Sequence, residues 1–356
     1  MEMSLCEFNV MNFLLLNFRK EEKMKKCSGI LLVCFVAAMT GSTFAASVYV
    51  LGSDNWTTAA NWSTGAVPLA STADELKIFA SASAGPEDFV ITVNSNVGNY
   101  NGGSCKFDLA RGTTLQVETG GYIGNNKEIH VGDAGASGNG TDIGYINQTG
   151  GTVDITGSGK LQIGYKAGGD GTYTISGGTL TGSAGRMYLG CSSADGSIGK
   201  LKVVGSTGTI SLGGTMYIAN DSETAENYTG TGTLEFVCDA LGAVSKVQVA
   251  KSVIDSQNTG VAVANLVVGL TDAAPASTLV LVENTGTSAV VGLFDSLNGG
   301  SAAEGATVVL GGQTFTLTYQ YAAGADNVAN DIALVIPEPA TIALLTLGLA
   351  ALRRRK

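Results

Sequence analysis

The stretch "GYINQTGGTVDITGSGKLQIGYKAGGDG", residues 144–171, is followed directly by "GTYTISGGTLTGSAGRMYLGCSSADGSIG", residues 171–199. "GKLKVVGSTGTISLGGTMYIANDSETAENYTGTG" and "GTLEFVCD" continue the same theme to residue 239. Aligned on Tyr145, Tyr173, Leu201 and Leu234, the starts lie 28, 28 and 33 residues apart. Each unit carries two short alternating segments, the second seen as "LQIG" (161–164), "MYLG" (187–190) and "MYIA" (216–219), with "IHVG" (129–132) preceding them. Period-two alternation of β-branched and aromatic residues predicts strands, and the Gly-Gly and Asp-Gly pairs between them predict turns. A unit this short cannot bury its own apolar face, so successive units must stack. The predicted fold is all-β: a right-handed parallel β-helix, or β-solenoid, with capping ends. A β-sandwich or a two-domain all-β chain is the alternative.

Inward positions are expected at Ile146, Val153, Ile155, Leu161, Ile163, Tyr173, Ile175, Leu180, Leu189, Leu201, Val203, Leu234 and Phe236. Residues 240–320 hold further strand-like runs, "NLVVGL", "TLVLVEN" and "TVVLGGQTFTLTYQY", with weaker periodicity. Composition agrees with this reading. Fifty glycines in 356 residues is about twice the usual share, and proline is scarce, which excludes collagen and Pro-rich linkers.

Both ends of the chain read as addresses. "KMKKCSGILLVCFVAAMTGSTFAAS" (23–47) has a basic start, an apolar centre and small residues at Thr43 and Ala45, the pattern of a signal peptide over 24–45 cleaved after Ala45. Residues 1–23 then form an upstream extension ahead of a start at Met24. A lipoprotein signal at Cys34 is rejected because Val33 is not small and the apolar run continues. At the other end, Ala340–Leu352 carries no charge and precedes Arg353, Arg354, Arg355 and Lys356. Thirteen helical residues span about 20 Å. With Val335, Ile336 and snorkelling arginines, that suffices for a transmembrane helix with a cytoplasmic basic tail.

This terminus resembles the PEP-CTERM sorting domain: Pro337, Glu338 and Pro339 match the signature tripeptide, followed by the apolar run and the Arg cluster. The resemblance implies processing by exosortase, an integral-membrane cysteine protease/transpeptidase. It also implies transient inner-membrane anchoring, then delivery to the cell surface, outer membrane or extracellular polysaccharide matrix. Upstream, "DNWTTAANWSTGAVP" (54–68), with Trp56, Asn61, Trp62 and Pro68, is similar to the opening of autotransporter-like surface proteins. "FTLTYQYAAGADNVANDIALVIPEP" (315–339), with Asn330 and Asp331, resembles their closing strands. The expected organisation is a cap and first coils over 46–120, Gly-rich repeats over 121–239, C-terminal coils and cap over 240–334, and the sorting signal over 335–356.

Reactive constellations are scarce. The only histidine, His130, excludes His-based triads and multi-His metal sites. Residues 46–336 hold eleven Lys and Arg against 25 Asp and Glu, a net charge of −14, which repels nucleic acid. Asp133, Asp142, Asp170 and Asp195 recur in Gly-rich turns and raise the question of Ca²⁺, but the calcium nonapeptide is absent and ordinary turn chemistry accounts for them. No cofactor or metal is therefore expected. Cys105, Cys191 and Cys238 show no metal spacing; one disulfide and three separate thiols both fit. Polysaccharide lyases and hydrolases on this fold need acids converging from adjacent coils, which the scattered single acids do not suggest. The expectation is a non-enzymatic, exported structural or adhesin-like protein. Trp56 and Trp62 are expected to plug the open edge of the first coil; the alternative is a carbohydrate-binding surface protein that stacks sugars on them, with Tyr122, Tyr145 and Tyr188 as further exposed aromatics. A polysaccharide-degrading enzyme is the third reading.

Overall fold

The alternating segments become strands that pair in parallel with the equivalent segment of the next coil. A computed structural model describes residues 48–49, 54–68, 76–78, 89–100, 106–133, 142–190, 196–220, 229–254, 262–271, 275, 277–324 and 326–337. Residues Ser47–Lys356 form one compact unit; the expected signal peptide lies outside the described residues.

Three ladders of buried side chains define the solenoid. The first runs Ile91, Leu115, Ile146, Tyr173, Leu201, Leu234, Leu266, Leu297, each directly in register with the next. The second runs Ile123, Val153, Leu180, Ile210, Val247, Val282. The third runs Leu76, Phe107, Ile129, Leu161, Met187, Met216. Parallel pairing places like side chains directly above one another at a spacing of about 4.8 Å, so each rung seals the faces of its neighbours. All thirteen residues expected to point inward are exposed by 1 % or less.

The sequence alignment is off by one in one unit. Tyr173 pairs with Ile146, while Tyr145 pairs with Thr172 and faces solvent at 38 % exposure. The first interval is thus 27 residues. An aromatic ring at the start of a unit is a misleading anchor, because alternation points Tyr173 inward and Tyr145 outward. The Tyr173 hydroxyl donates to Gln148 Oε1 at 2.7 Å, and Gln148 Nε2 donates to Thr179 O at 3.0 Å. Inside the stack, that pairing satisfies two polar side chains that would otherwise be costly to bury.

The ends are sealed differently. At the N-terminal coil Trp56 and Trp62 meet edge to face at 4.9 Å, and Trp56 also packs on Tyr100 and Phe107 at 5.9 Å. Trp62 Nε1 donates to Trp56 O at 2.8 Å, and Tyr100 Oη to Pro68 O at 3.0 Å. At the C-terminal end the pairing switches direction. Leu279–Asn284 pairs with the preceding coil in parallel and with Asp331–Val335 antiparallel; that last strand pairs with Gln313–Tyr321, which pairs with Thr307–Leu310. The antiparallel flap covers an edge that would otherwise template further strands.

The corner after each third-sheet strand depends on backbone handedness. Gly164 has φ +71°, and a Cβ there would sit 2.1 Å from Ile198 O of the next coil. Ile163, Leu189 and Ile218 share one ladder, so Gly164, Gly190 and Ala219 occupy equivalent corners. Ala219 holds φ +51° without glycine's freedom. Gly164→Ala should therefore destabilise the body by about 2 kcal/mol or more, whereas Ala219→Gly should stabilise it by up to about 1 kcal/mol. Urea unfolding of both variants checks the opposite signs.

Candidate functional site

The exit of the chain from the solenoid is built by Asn330 and Asp331. Asp331 is fully buried. Its Oδ1 accepts from the Asn284 amide at 2.8 Å and its Oδ2 from the Ala323 amide. Asn330 Nδ2 donates to Gly286 O and Ser288 O, Asn330 O accepts from Asn284 Nδ2, and Ser252 Oγ donates to Asn284 Oδ1 at 2.8 Å. One carboxylate and two amides thus tie the last strand to the last parallel coil. From there the chain runs as strand to Val335, which pairs with Thr316, and Pro337 is exposed. A proline cannot donate to a ladder, so the strand stops where the tripeptide begins. Glu338, Pro339, Arg353, Arg354 and Arg355 lie outside the described residues, as does the expected transmembrane helix. Among the described residues no helix is long and apolar enough to cross a membrane.

A second cluster surrounds His130, on the outer side of the third sheet. His130 Nδ1 lies 2.8 Å from Asp108 Oδ1 and 3.1 Å from Asp133 Oδ2. Its Nε2 lies 3.3 Å from Glu128 Oε2, close enough for ion pairing but outside hydrogen-bond geometry. Lys160 reaches Glu128 and Lys166 reaches Asp133, each at 3.3 Å. The Tyr165 ring stacks on His130 at 4.1 Å, with the Lys166 ammonium 4.9 Å from that ring's centre. Burial opposes the imidazolium charge most strongly, yet the contacts with Asp108, Asp133 and Glu128 together outweigh it, so His130 titrates well above 6.5. Three carboxylates then face three cations, a charge-balanced set. Asp108, His130 and Asp133 also place ligand atoms within 4.8 Å of one another, but a metal would have to displace the Nδ1 proton that already bridges both aspartates.

The residues that sequence reading offered as functional fare unequally. Trp56 and Trp62 are 1 % and 0 % exposed. Their rings are consumed by each other, Tyr100 and Phe107, so they form the plug expected of a cap and leave no face for the alternative stacking role. Tyr188 is packed against Tyr217, with centroids 4.9 Å apart and planes 12° apart. Tyr122 remains at the surface, donating to Asn99 Oδ1 at 2.7 Å and Asp154 Oδ2 at 3.2 Å. The turn aspartates do not form a carboxylate ladder: Asp142 pairs with Gly169, and Asp170 with Ile143 and Ile198, while Asp195 lies outside the described residues. Cys238 is a buried free thiol, pushed up to about 11 by burial; Cys105 and Cys191 lie outside the described residues.

The histidine cluster escaped sequence reading because its members are drawn from three coils, at 108, 128–133 and 160–166. The available signal was His130 at an outward position of the apolar "IHVG" element. A histidine whose folded pKa is raised stabilises the fold fully below the unfolded value near 6.5. That stability is lost as pH rises toward the folded value, at up to about 1.4 kcal/mol per pH unit. Urea unfolding between pH 6 and pH 8.5 should show this decline, and His130→Gln should flatten it.

Neither a curated protein nor a solved structure matches the chain. A protein-family match covers residues 335–356, described as the PEP-CTERM protein-sorting motif. Its first residue, Val335, is the last residue of the last strand, so the chain is an exported β-solenoid whose folded body leads directly into an exosortase sorting signal.

Proposed function

We propose that this protein is a non-enzymatic structural element of the cell surface or extracellular matrix, delivered there by exosortase. The observation that carries this reading is continuity. One stacked core extends from the tryptophan plug to the Asp331-pinned flap, and the flap ends where the sorting motif starts. Such a body holds its shape through backbone pairing and apolar ladders, the properties of a spacer or scaffold. The Asp108, Asp133 and Glu128 carboxylates are engaged with His130, Lys160 and Lys166, which suits a structural role. The acidic, lysine-poor body suits display outside the cell without sticking to nucleic acid.

Carbohydrate binding is the second reading. It is supported by an open cleft of about 460 Å³ along the second ladder, lined by Asp154, Thr156, Thr181, Ser183 and Ser211 among others. Hydroxyls and a carboxylate on successive rungs suit sugar hydroxyls, and Tyr122 borders Asp154. A glycan array with the purified body, repeated with Thr181→Val, distinguishes the two readings: binding lost in the variant favours the cleft.

Replacing Pro337, Glu338 and Pro339 by alanine should leave a full-length product in the membrane fraction of exosortase-bearing cells, where the parent chain yields a shorter surface product. Surface delivery unchanged by this replacement, or depolymerisation of matrix polysaccharide by the purified body, would contradict the structural reading.

A further inference from the structure

The sorting tripeptide is separated from the folded flap by almost no chain. Val335 is still paired with Thr316, and Pro337 follows two residues later. Two extended residues reach about 7 Å at most. Any enzyme that grips Pro337–Glu338–Pro339 therefore works against the surface of the flap.

The flap extends past that point. Thr316 lies opposite Val335, so the antiparallel register carries Gln313 and Thr314 beyond the end of the last strand, alongside the start of the tail. Val309 pairs with Thr314 in the Thr307–Tyr321 hairpin. Side chains alternate between the two faces: Phe315 is buried and Val308 and Ile336 pack against the core, while Val309, Thr314 and Pro337 all face out. Val309 is 64 % exposed. Two strand spacings separate it from Pro337 across the sheet, about 10 Å.

We propose that this hairpin face, centred on Val309 and Thr314, is a second contact for exosortase, so that the enzyme recognises the tail together with the folded flap that presents it. The proposal rests on the exosortase processing assigned by the sorting motif and does not depend on what the mature body does. Proximity selects the enzyme as the occupant, because the face lies two strand spacings from the residue where the sorting tripeptide begins. Residues 252–352 contain no Lys or Arg, so this stretch offers no cation to anionic headgroups. An exposed apolar side chain beside the tripeptide suits an apolar contact on the enzyme.

The test uses the full chain in exosortase-bearing cells, following conversion to the shorter product by pulse-chase. Val309→Glu alters an exposed side chain, so the melting temperature of the purified body should be unchanged while processing slows roughly tenfold, the scale of one lost interface anchor. A flexible Gly/Ser insert of about 12 residues between Ile336 and Pro337 frees the tripeptide from the flap. With the insert, the parental and Val309→Glu chains should be processed at the same rate. Three outcomes would overturn the proposal. In the first, the Val309→Glu chain without the insert is processed at the parental rate; in the second, its defect persists with the insert. In the third, the substitution lowers membrane association in cells lacking exosortase, which assigns the contact to lipid.

Discussion

Each coil exposes backbone N–H and C=O groups along both of its edges, and only another coil in matching register can satisfy them. Everything else in the structure follows from that requirement. The next coil's backbone approaches so closely that a Cβ at Gly164 would meet Ile198 O at 2.1 Å. The corners therefore turn through positive φ, on glycine at 164 and 190 and on Ala219 at the next equivalent position, and insertions must fall between strands rather than within them. The same requirement creates a problem at both ends, where no further coil arrives. An aromatic plug handles one end and an antiparallel flap the other. The flap needs a fixed direction of exit, which the buried Asp331 carboxylate sets by holding two backbone amides.

Much of this was legible in the sequence. Alternation marked the strands, and the inward residues of the central repeats were readable because each lies one rung from a similar residue. The exceptions are instructive. Tyr145 looked equivalent to Tyr173, but the register pairs Tyr173 with Ile146 on the inward face and leaves Tyr145 on the outward one. Trp56 and Trp62 left two readings open in sequence, plug or sugar-stacking pair, and packing in the first coil decided for the plug. The His130 cluster was invisible because its charges come from separate coils, brought together by a register that spacing alone does not specify. Asn330 and Asp331 stood out as a closing motif, although their partners at Asn284, Gly286 and Ser288 lie more than forty residues earlier.

Function is written at the seam between fold and tail. The family match begins on the residue where the last strand ends, so the body carries no spacer between its flap and the segment that exosortase processes. In that geometry the strand that seals the solenoid also leads into the sorting motif.

The central claim is in-register stacking, and distance measurement across rungs tests it most directly. Thr114, Tyr145, Thr172, Lys200, Thr233 and Asn265 occupy one outward ladder on successive coils. Pulsed electron–electron resonance between spin labels at residues 114 and 233, and at 114 and 265, in a background without the native cysteines, should give backbone separations of about 19 and 24 Å, rising by about 4.8 Å per rung. Separations that do not rise with rung number, as two packed antiparallel sheets would give, contradict the solenoid.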